Sequence, residues 1–187
     1  MGASAKLDQG AIVSAAFEVL NSTGLDGLSL RLVADRLGVQ APALYWHVHN
    51  KAELMSLMAA TFAAAASRGN AAGKTWREKL VLAGRARREA MLEQRDSARV
   101  CVVAQPMKSA ADVAPQLTAP LVAVGLSARQ ALSYQAAVIA YTVGWVAYEQ
   151  SQAMHDYLTQ LIDFDESFEA GLQAMVRGFP EAVAENA

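Results

Sequence analysis

Apolar residues recur along this chain at intervals of three and four, the repeat of a helix with one buried face. Asp8 is placed to cap a helix over 9–21, whose buried stripe is Ile12, Ala15, Ala16, Val19 and Leu20. Gly24 and Gly27 flank Leu25 and Asp26 as a stop and turn, and Leu25 and Leu28 close the core of a first domain. Ser29 then caps a helix over 30–37, with Val33, Ala34 and Leu37 on its apolar face. Gly38 follows the last apolar residue, where a left-handed C-terminal cap is needed, and Val39 reads as a buried plug in the turn. A second short helix over 40–47 opens with Pro42 in its first turn. Leu44 and Val48 anchor it, leaving Gln40, Ala41, Ala43, Tyr45 and His47 toward solvent. Asn50 caps a helix over 51–66 that packs back through Leu54, Leu57, Met58 and Phe62, and the Gly/Ser/Asn cluster at 67–73 interrupts it. Two short helices around a glycine turn have the spacing of a helix-turn-helix, whose second helix enters the major groove of DNA.

The second half predicts longer helices. A helix over 74–94 offers Trp76, Leu80, Ala83, Ala90 and Met91 for burial, while Arg85, Arg87 and Arg88 read as a solvated face rather than an anion site. A short apolar segment over 100–104 ends at Gln105-Pro106, and Pro115 and Pro120 predict a broken or bent element over 112–124. The helix over 127–151 carries two stripes. One is bulky (Tyr134, Val138, Tyr141, Trp145, Tyr148), either plain core or a ligand box; the other is small (Ala137, Ala140, Gly144, Ala147, Ser151). A last helix over 164–179 presents Phe168, Leu172, Met175 and Phe179, with Gly171 and Ala174 beside them. Small residues at helical spacing admit a close helix neighbour, so two such helices from each of two copies can form a four-helix bundle. The fold class is therefore all-α, divided into a DNA-binding domain over 1–50, a connecting helix over 51–68 and a ligand-binding and dimerisation domain over 69–187.

Composition narrows the function. The chain has 187 residues, 53% of them hydrophobic, and a mean hydropathy of +0.17. No apolar run is long enough to span a bilayer, so the excess points to buried oligomer surface or a cavity. The first ten residues lack the charged-then-apolar layout of an export signal, and the lone Cys101 forbids an internal disulfide, which together indicate a cytoplasmic protein. Net charge is −2, but the 29–51 stretch leans positive, with Arg31, Arg36 and Lys51 against Asp35. DNA binding then rests on a local patch, doubled in a dimer. Three histidines, one cysteine and no glycine-rich phosphate loop supply no enzyme constellation. His155-Asp156 is only a sequence neighbour pair, and His47 and His49 point apart on a helix, so neither a dyad nor a metal site is expected.

The stretches Thr23-Gly24, Gly27-Leu28-Ser29-Leu30-Arg31-Leu32-Val33-Ala34-Asp35-Arg36-Leu37-Gly38-Val39 and Leu44-Tyr45-Trp46-His47-Val48-His49-Asn50-Lys51 together resemble the DNA-binding domain of the TetR family of bacterial repressors. Agreement over roughly fifty consecutive positions is far more specific than a lone motif. The resemblance implies a double-stranded DNA operator as partner, a homodimer built on the last two long helices, and release by a small-molecule inducer. It implies that Gln40 pairs with a base edge, adenine by preference, and that Ala41 and Ala43 offer only methyl contacts beside Pro42. It also implies that Arg31 reaches guanine or phosphate, and that Ser29, Tyr45, His47 and Lys51 touch phosphates. Trp46 is either a further contact or buried against the first helix.

The C-terminal half resembles the tetracycline-repressor branch at Arg95-Asp96-Ser97-Ala98-Arg99-Val100, Pro106, Gln116-Leu117 and Gly144-Trp145-Val146-Ala147-Tyr148-Glu149-Gln150. Cys101 stands where that branch has its magnesium-binding histidine, and Ala104-Gln105-Pro106 replaces Thr-Arg-Pro. Magnesium prefers hard oxygen ligands, so neither a metal nor another cofactor is expected, and the inducer is expected to differ from tetracycline–magnesium. By the same resemblance the ligand residues are Met91, Cys101, Gln105, Pro106, Gln116, Tyr141, Trp145 and Glu149, with a larger or more aromatic molecule stacking on Tyr141 and Trp145. The other reading is a dimer that binds DNA without a ligand, or a partner-binding scaffold, as a pocket filled by its own aromatics would favour.

Overall fold

A computed structural model of the chain describes residues 7–68 and 74–181. Among the described residues the elements are α1 (Gln9–Gly27), α2 (Leu30–Leu37), α3 (Ala41–Tyr45), α4 (Lys51–Arg68), α5 (Trp76–Leu92), α6 (Ser97–Val103), α7 (Ala110–Val122), α8 (Ala128–Gln150), α9 (Gln152–Leu158) and α10 (Phe164–Gly178). The chain is all-α, as its periodicity requires. The interruption predicted at 67–73 falls mostly at 69–73, outside the described residues.

The helices group into two compact units, which do not follow cuts at 50 and 68. The first takes the chain up to Thr61 together with Glu93–Met107, and the second takes Phe62–Leu92 and the chain from Lys108 onward. In the first unit, the Asp8 carboxylate accepts from the Ala11 amide at 2.8 Å and starts α1. The helix runs past residue 21 to Gly27 with one non-helical residue, Gly24, at φ 72° and ψ 174°. The 93–107 segment supports this break. The Leu25 N–H donates to the Asp96 carboxylate at 2.8 Å, and the Arg95 N–H donates to the Asn21 side-chain oxygen at 2.8 Å. No apolar period links residues so distant in sequence, so only the packed structure assigns Glu93–Met107 to the N-terminal helices.

The short helices follow their local signals. Ser29 Oγ accepts from the Leu32 amide at 3.3 Å to start α2. Gly38 ends it at φ 68°, with its N–H on Asp35 O and the Val39 N–H on Ala34 O, a Schellman-type close. Helix α3 is shorter than 40–47, but Leu44 and Val48 are fully buried as anchors. Asn50 Oδ1 accepts from the Glu53 amide at 2.9 Å and starts α4. Ile12, Leu20, Val33, Leu44, Leu54 and Met58 fill this core with no exposed surface.

The second unit is built from α5, α7, α8, α9 and α10, with the end of α4. Pro115 and Pro120 do not break α7, which runs unbroken from Ala110 to Val122. Thr118 and Leu121 are buried, and Gln135 of α8 donates to the Leu117 carbonyl at 2.9 Å, so packing on α8 offsets the two missing amides. Ser127 and Gln130 close a reciprocal capping box at the start of α8. A Cβ on Gly84 would stand 3.0 Å from Leu172 and 3.2 Å from Val138, so α5 meets α8 and α10 at van der Waals limits there. In α10 the fully inward residues are Phe164, Phe168, Leu172 and Val176, whereas Met175 and Phe179 are half-buried. Helix α9 has no buried residue, and its apolar content therefore carried no helical period to read.

Candidate nucleic-acid interface and ligand cavity

The surface of α3 and its flanks is set by two residues pointing the other way. Leu44 and Val48, four apart, are completely buried and fix the rotation of the segment between them. Gln40, Pro42, Ala43, Tyr45, Trp46 and His47 are in consequence exposed, with Ala41 half-buried against the core. Trp46 is 87% exposed, which decides between its two expected positions in favour of solvent. An aromatic that open is rare unless a partner covers it.

Charge on this surface is distributed by local pairing. Arg36 is paired with Glu18, while Arg31 is exposed with no ion pair among the described residues. Ser29 is half-buried, and its hydroxyl serves as the cap of α2. Lys51 is half-buried too, and its ammonium donates to the Leu25 carbonyl at 2.7 Å, so it stands fixed beside the end of α1. His49 lies against Glu53 at 2.9 Å, and Glu53 is held below its ordinary value by the His49 backbone N–H and then by the His49 ring. The structure thus brings all ten expected DNA-contact residues into one unit. Gln40, Pro42, Ala43, Tyr45, Trp46, His47 and Arg31 are open, and Ser29 and Lys51 are engaged with backbone.

The eight residues expected to bind a ligand are divided between the two units. Cys101, Gln105 and Pro106 lie in the first unit, where Cys101 is half-buried and the Gln105 N–H donates to Ser56 Oγ at 2.9 Å. Met91 is fully buried in the second unit, and its carbonyl accepts from the Gln150 amide at 3.3 Å. Tyr141 and Trp145 stack at 5.8 Å and pack with Phe164 and Phe168. The Tyr141 hydroxyl donates to the Phe168 carbonyl at 3.0 Å, and burial raises its pKa. Trp145 Nε1 is buried with no hydrogen-bond partner among the described residues. Glu149 is gripped by both arms of Arg88, at 2.8 and 2.7 Å. Arg88 also reaches Asp165 at 2.7 Å and sits 4.7 Å from the Phe168 ring centre. Burial opposes the Arg88 charge, but the hydrogen bonds to Glu149 and Asp165 outweigh it and leave its pKa raised.

Gln116 instead lines a cavity of about 250 Å³ within the second unit. Its walls are the end of α4 (Ala63, Ala66, Ser67), one face of α5 (Lys79, Leu80, Ala83, Arg87), α7 (Gln116, Leu117, Pro120, Leu121) and α8 (Gln135, Val138, Ile139). Lys79, Ala83 and Arg87 are spaced i, i+4, i+8, the one signal in the sequence that sets them on a common face. Arginines read as a solvated face are thus put to three uses. Arg87 lines the cavity, Arg88 is in the ion cluster, and Arg85 pairs with Glu169. Tyr141, Trp145 and Tyr148 are not among the lining residues, and none of the described lining residues is aromatic.

Comparison with known proteins places both halves. Residues 12–58 match the family of bacterial regulatory proteins, tetR family, and residues 70–161 match the tetracyclin repressor-like C-terminal domain. The chain is similar to the tetracycline repressor protein class D of Escherichia coli, 32% identical over 94% of this chain and 90% of that protein. Among solved structures it is similar to a variant of TetR from Acinetobacter baumannii AYE in complex with minocycline, with a TM-score of 0.76 and 33% identity over 93% of this chain and 97% of that one. It is also similar to ActR of Streptomyces coelicolor in complex with (S)-DNPA, with a TM-score of 0.74 and 26% identity over 94% and 98% of the two chains.

Proposed function

The chain belongs to the TetR family of bacterial regulatory proteins and is a DNA-binding, ligand-responsive transcriptional regulator, and from that premise we propose that it is a homodimeric repressor whose α3 reads an operator and whose cavity holds an inducer other than tetracycline–magnesium. The observation that carries the operator reading is the outward display of Gln40, Pro42, Ala43, Tyr45, Trp46 and His47 around the buried pair Leu44 and Val48. Gln40 is the one carboxamide of that display and pairs with a base edge, while Ala43 offers a methyl group. Arg31, Tyr45, His47 and Lys51 hold phosphates, with Ser29 at the start of α2 and Trp46 packing on the backbone. Ala41, half-buried, keeps the base edge close to the helix.

The cavity supports induction over a ligandless scaffold, because Tyr141 and Trp145 of α8 pack on Phe164 and Phe168 and Tyr148 is exposed, so none of the three fills it. Its lining does not suit a magnesium chelate. Among the described residues it offers Gln116, Gln135 and Ser67 oxygens and no carboxylate or imidazole. Of the residues first expected around the inducer, Gln116 lines this cavity and is retained in this reading. Induction is a population shift: the ligand is bound better by the dimer arrangement whose recognition helices miss successive major grooves, about 34–36 Å apart.

For the dimer, Ala140, Gly144 and Ala147 of α8 and Ala170, Ala174 and Gly178 of α10 are exposed, and a Cβ at Gly144 or Gly178 would meet open space. A second copy laying the same two helices there makes a four-helix bundle. The operator reading is tested by selection from randomised DNA with the parent and Gln40→Ala. The expected outcome is a selected site for the parent and relaxed preference at one base pair for the variant, worth about 1–3 kcal/mol at that position. An unchanged preference would remove Gln40 from the base-reading role.

A further inference from the structure

Lys51, at the start of α4, is tied to the last turn of α1, where its ammonium donates to the Leu25 carbonyl at 2.7 Å. Leu25 is held from a second side as well, since its N–H donates to the Asp96 carboxylate at 2.8 Å. Asp26 comes next in the chain, its side chain 88% exposed, and its carboxylate accepts from Arg99 Nη2 at 2.8 Å. The other terminal nitrogen of Arg99 donates to Asp96 Oδ1 at 3.4 Å. Asp96 stands at φ 55°, in the left-handed region, and makes no side-chain cap to α6, so its carboxylate serves Leu25 and Arg99 instead. All of these residues belong to the first unit.

Asp26 is thus an anion one residue away from the carbonyl that anchors Lys51. The Arg99 hydrogen bond and charge hold its carboxyl below the ordinary value, and the Lys51 charge adds to this, so the carboxylate feels both cations. Left bare, it would repel a neighbouring phosphate and compete with it for the ammonium. Resting on the reading of Lys51 as a phosphate contact, we propose that Arg99 is a positioning residue for operator binding, which neutralises Asp26 and so leaves Lys51 to the DNA backbone. The operator-binding surface is then discontinuous in sequence, completed from the 93–107 segment by a charge that touches no DNA. A direct phosphate contact by Arg99 fits the geometry less well. Both terminal nitrogens already face carboxylates, so a bidentate phosphate would have to displace one of them. Nor is the pair a brace for the fold, because its side chains are 52% and 88% exposed and ion pairs that open contribute little to stability.

The test is fluorescence-anisotropy titration of the full chain on a labelled duplex of mixed sequence at several salt concentrations, since phosphate contacts act on every sequence alike. Arg99→Gln is expected to lower affinity about two- to fivefold for each half-site and to flatten the salt dependence, with helical circular dichroism unchanged. Adding Asp26→Ala should restore the parent's affinity, and in a Lys51→Ala background Arg99→Gln should cost clearly less than it does in the parent. Asp26→Ala alone should bind at least as tightly as the parent, which tests the proposal with Arg99 intact. Unchanged affinity in Arg99→Gln, or weaker binding by Asp26→Ala, would overturn the proposal. So would a loss that Asp26→Ala does not rescue, which makes Arg99 a phosphate contact in its own right, or one that persists in full without Lys51. A parent that weakens with Lys51→Ala but not with Arg99→Gln sinks this inference alone. A parent indifferent to Lys51→Ala sinks the phosphate reading on which it rests.

Discussion

A Cβ added to Gly171 would press into the Tyr141 hydroxyl, the group that bonds the Phe168 carbonyl one turn away. The glycine is thus required by a side chain on another helix and not by its own backbone angles. Gly171→Ala is expected to cost about 1–3 kcal/mol, as overpacking does, read as a lower thermal midpoint. Tyr141→Phe removes the clashing oxygen at the cost of one hydrogen bond, about 1 kcal/mol. The double variant should therefore lose less than the sum of the two; strict additivity would show that the contact is not what constrains residue 171. Trp46 teaches the opposite lesson at the same scale. Its place in the motif left burial and exposure equally open, and the burial of Leu44 and Val48 on either side turned it outward.

Between elements, Arg85 of α5 and Glu169 of α10 form a two-point pair, and the Arg85 hydrogen bond holds the Glu169 carboxyl at about 2, against an ordinary 4.5. A depressed carboxyl stabilises the fold above its unfolded value and loses that contribution as pH falls from about 4.5 toward 2. Arg85→Met should therefore lower stability to urea at pH 7 and lose less than the parent between pH 5 and 3. Both side chains are more than a third exposed, so the effect at pH 7 is expected below about 1 kcal/mol. A variant whose stability fell with the parent's, unit for unit, would remove Glu169 from the acid response. Element boundaries were legible wherever a cap stood beside a period, as at Asp8, Ser29, Gly38, Asn50 and Ser127. They were not where tertiary packing overrode a local signal, as at Pro115 and Pro120 in α7, or where nothing was buried, as in α9.

For the whole molecule, the proposed dimer makes a prediction that separates folding from assembly. An added Cβ at Gly144 would meet no atom within 4 Å in the single chain, yet Gly144 lies in the exposed small stripe of α8. Gly144→Arg should keep its helical circular dichroism and sediment as a monomer at concentrations where the parent is a dimer. It should also bind a two-half-site operator far more weakly, because the phosphate contacts of two recognition helices no longer act together. A dimeric Gly144→Arg would place the assembly surface elsewhere.

The helical class, the two short helices around Gly38, the outward display of Gln40, Ala43, Tyr45 and His47 and the small stripes of the last long helices were all readable from the chain. Each depends on interactions within about four residues, where periodicity and capping act. The return of Glu93–Met107 to the first unit, the withdrawal of Tyr141 and Trp145 into core, and the capture of Glu149 by Arg88 were decided by the tertiary structure. So was the cavity, whose cations are eight residues apart on α5 and whose facing amides come from α7 and α8. A helical period says which residues share a face, but which face meets which depends on close packing among segments far apart in sequence.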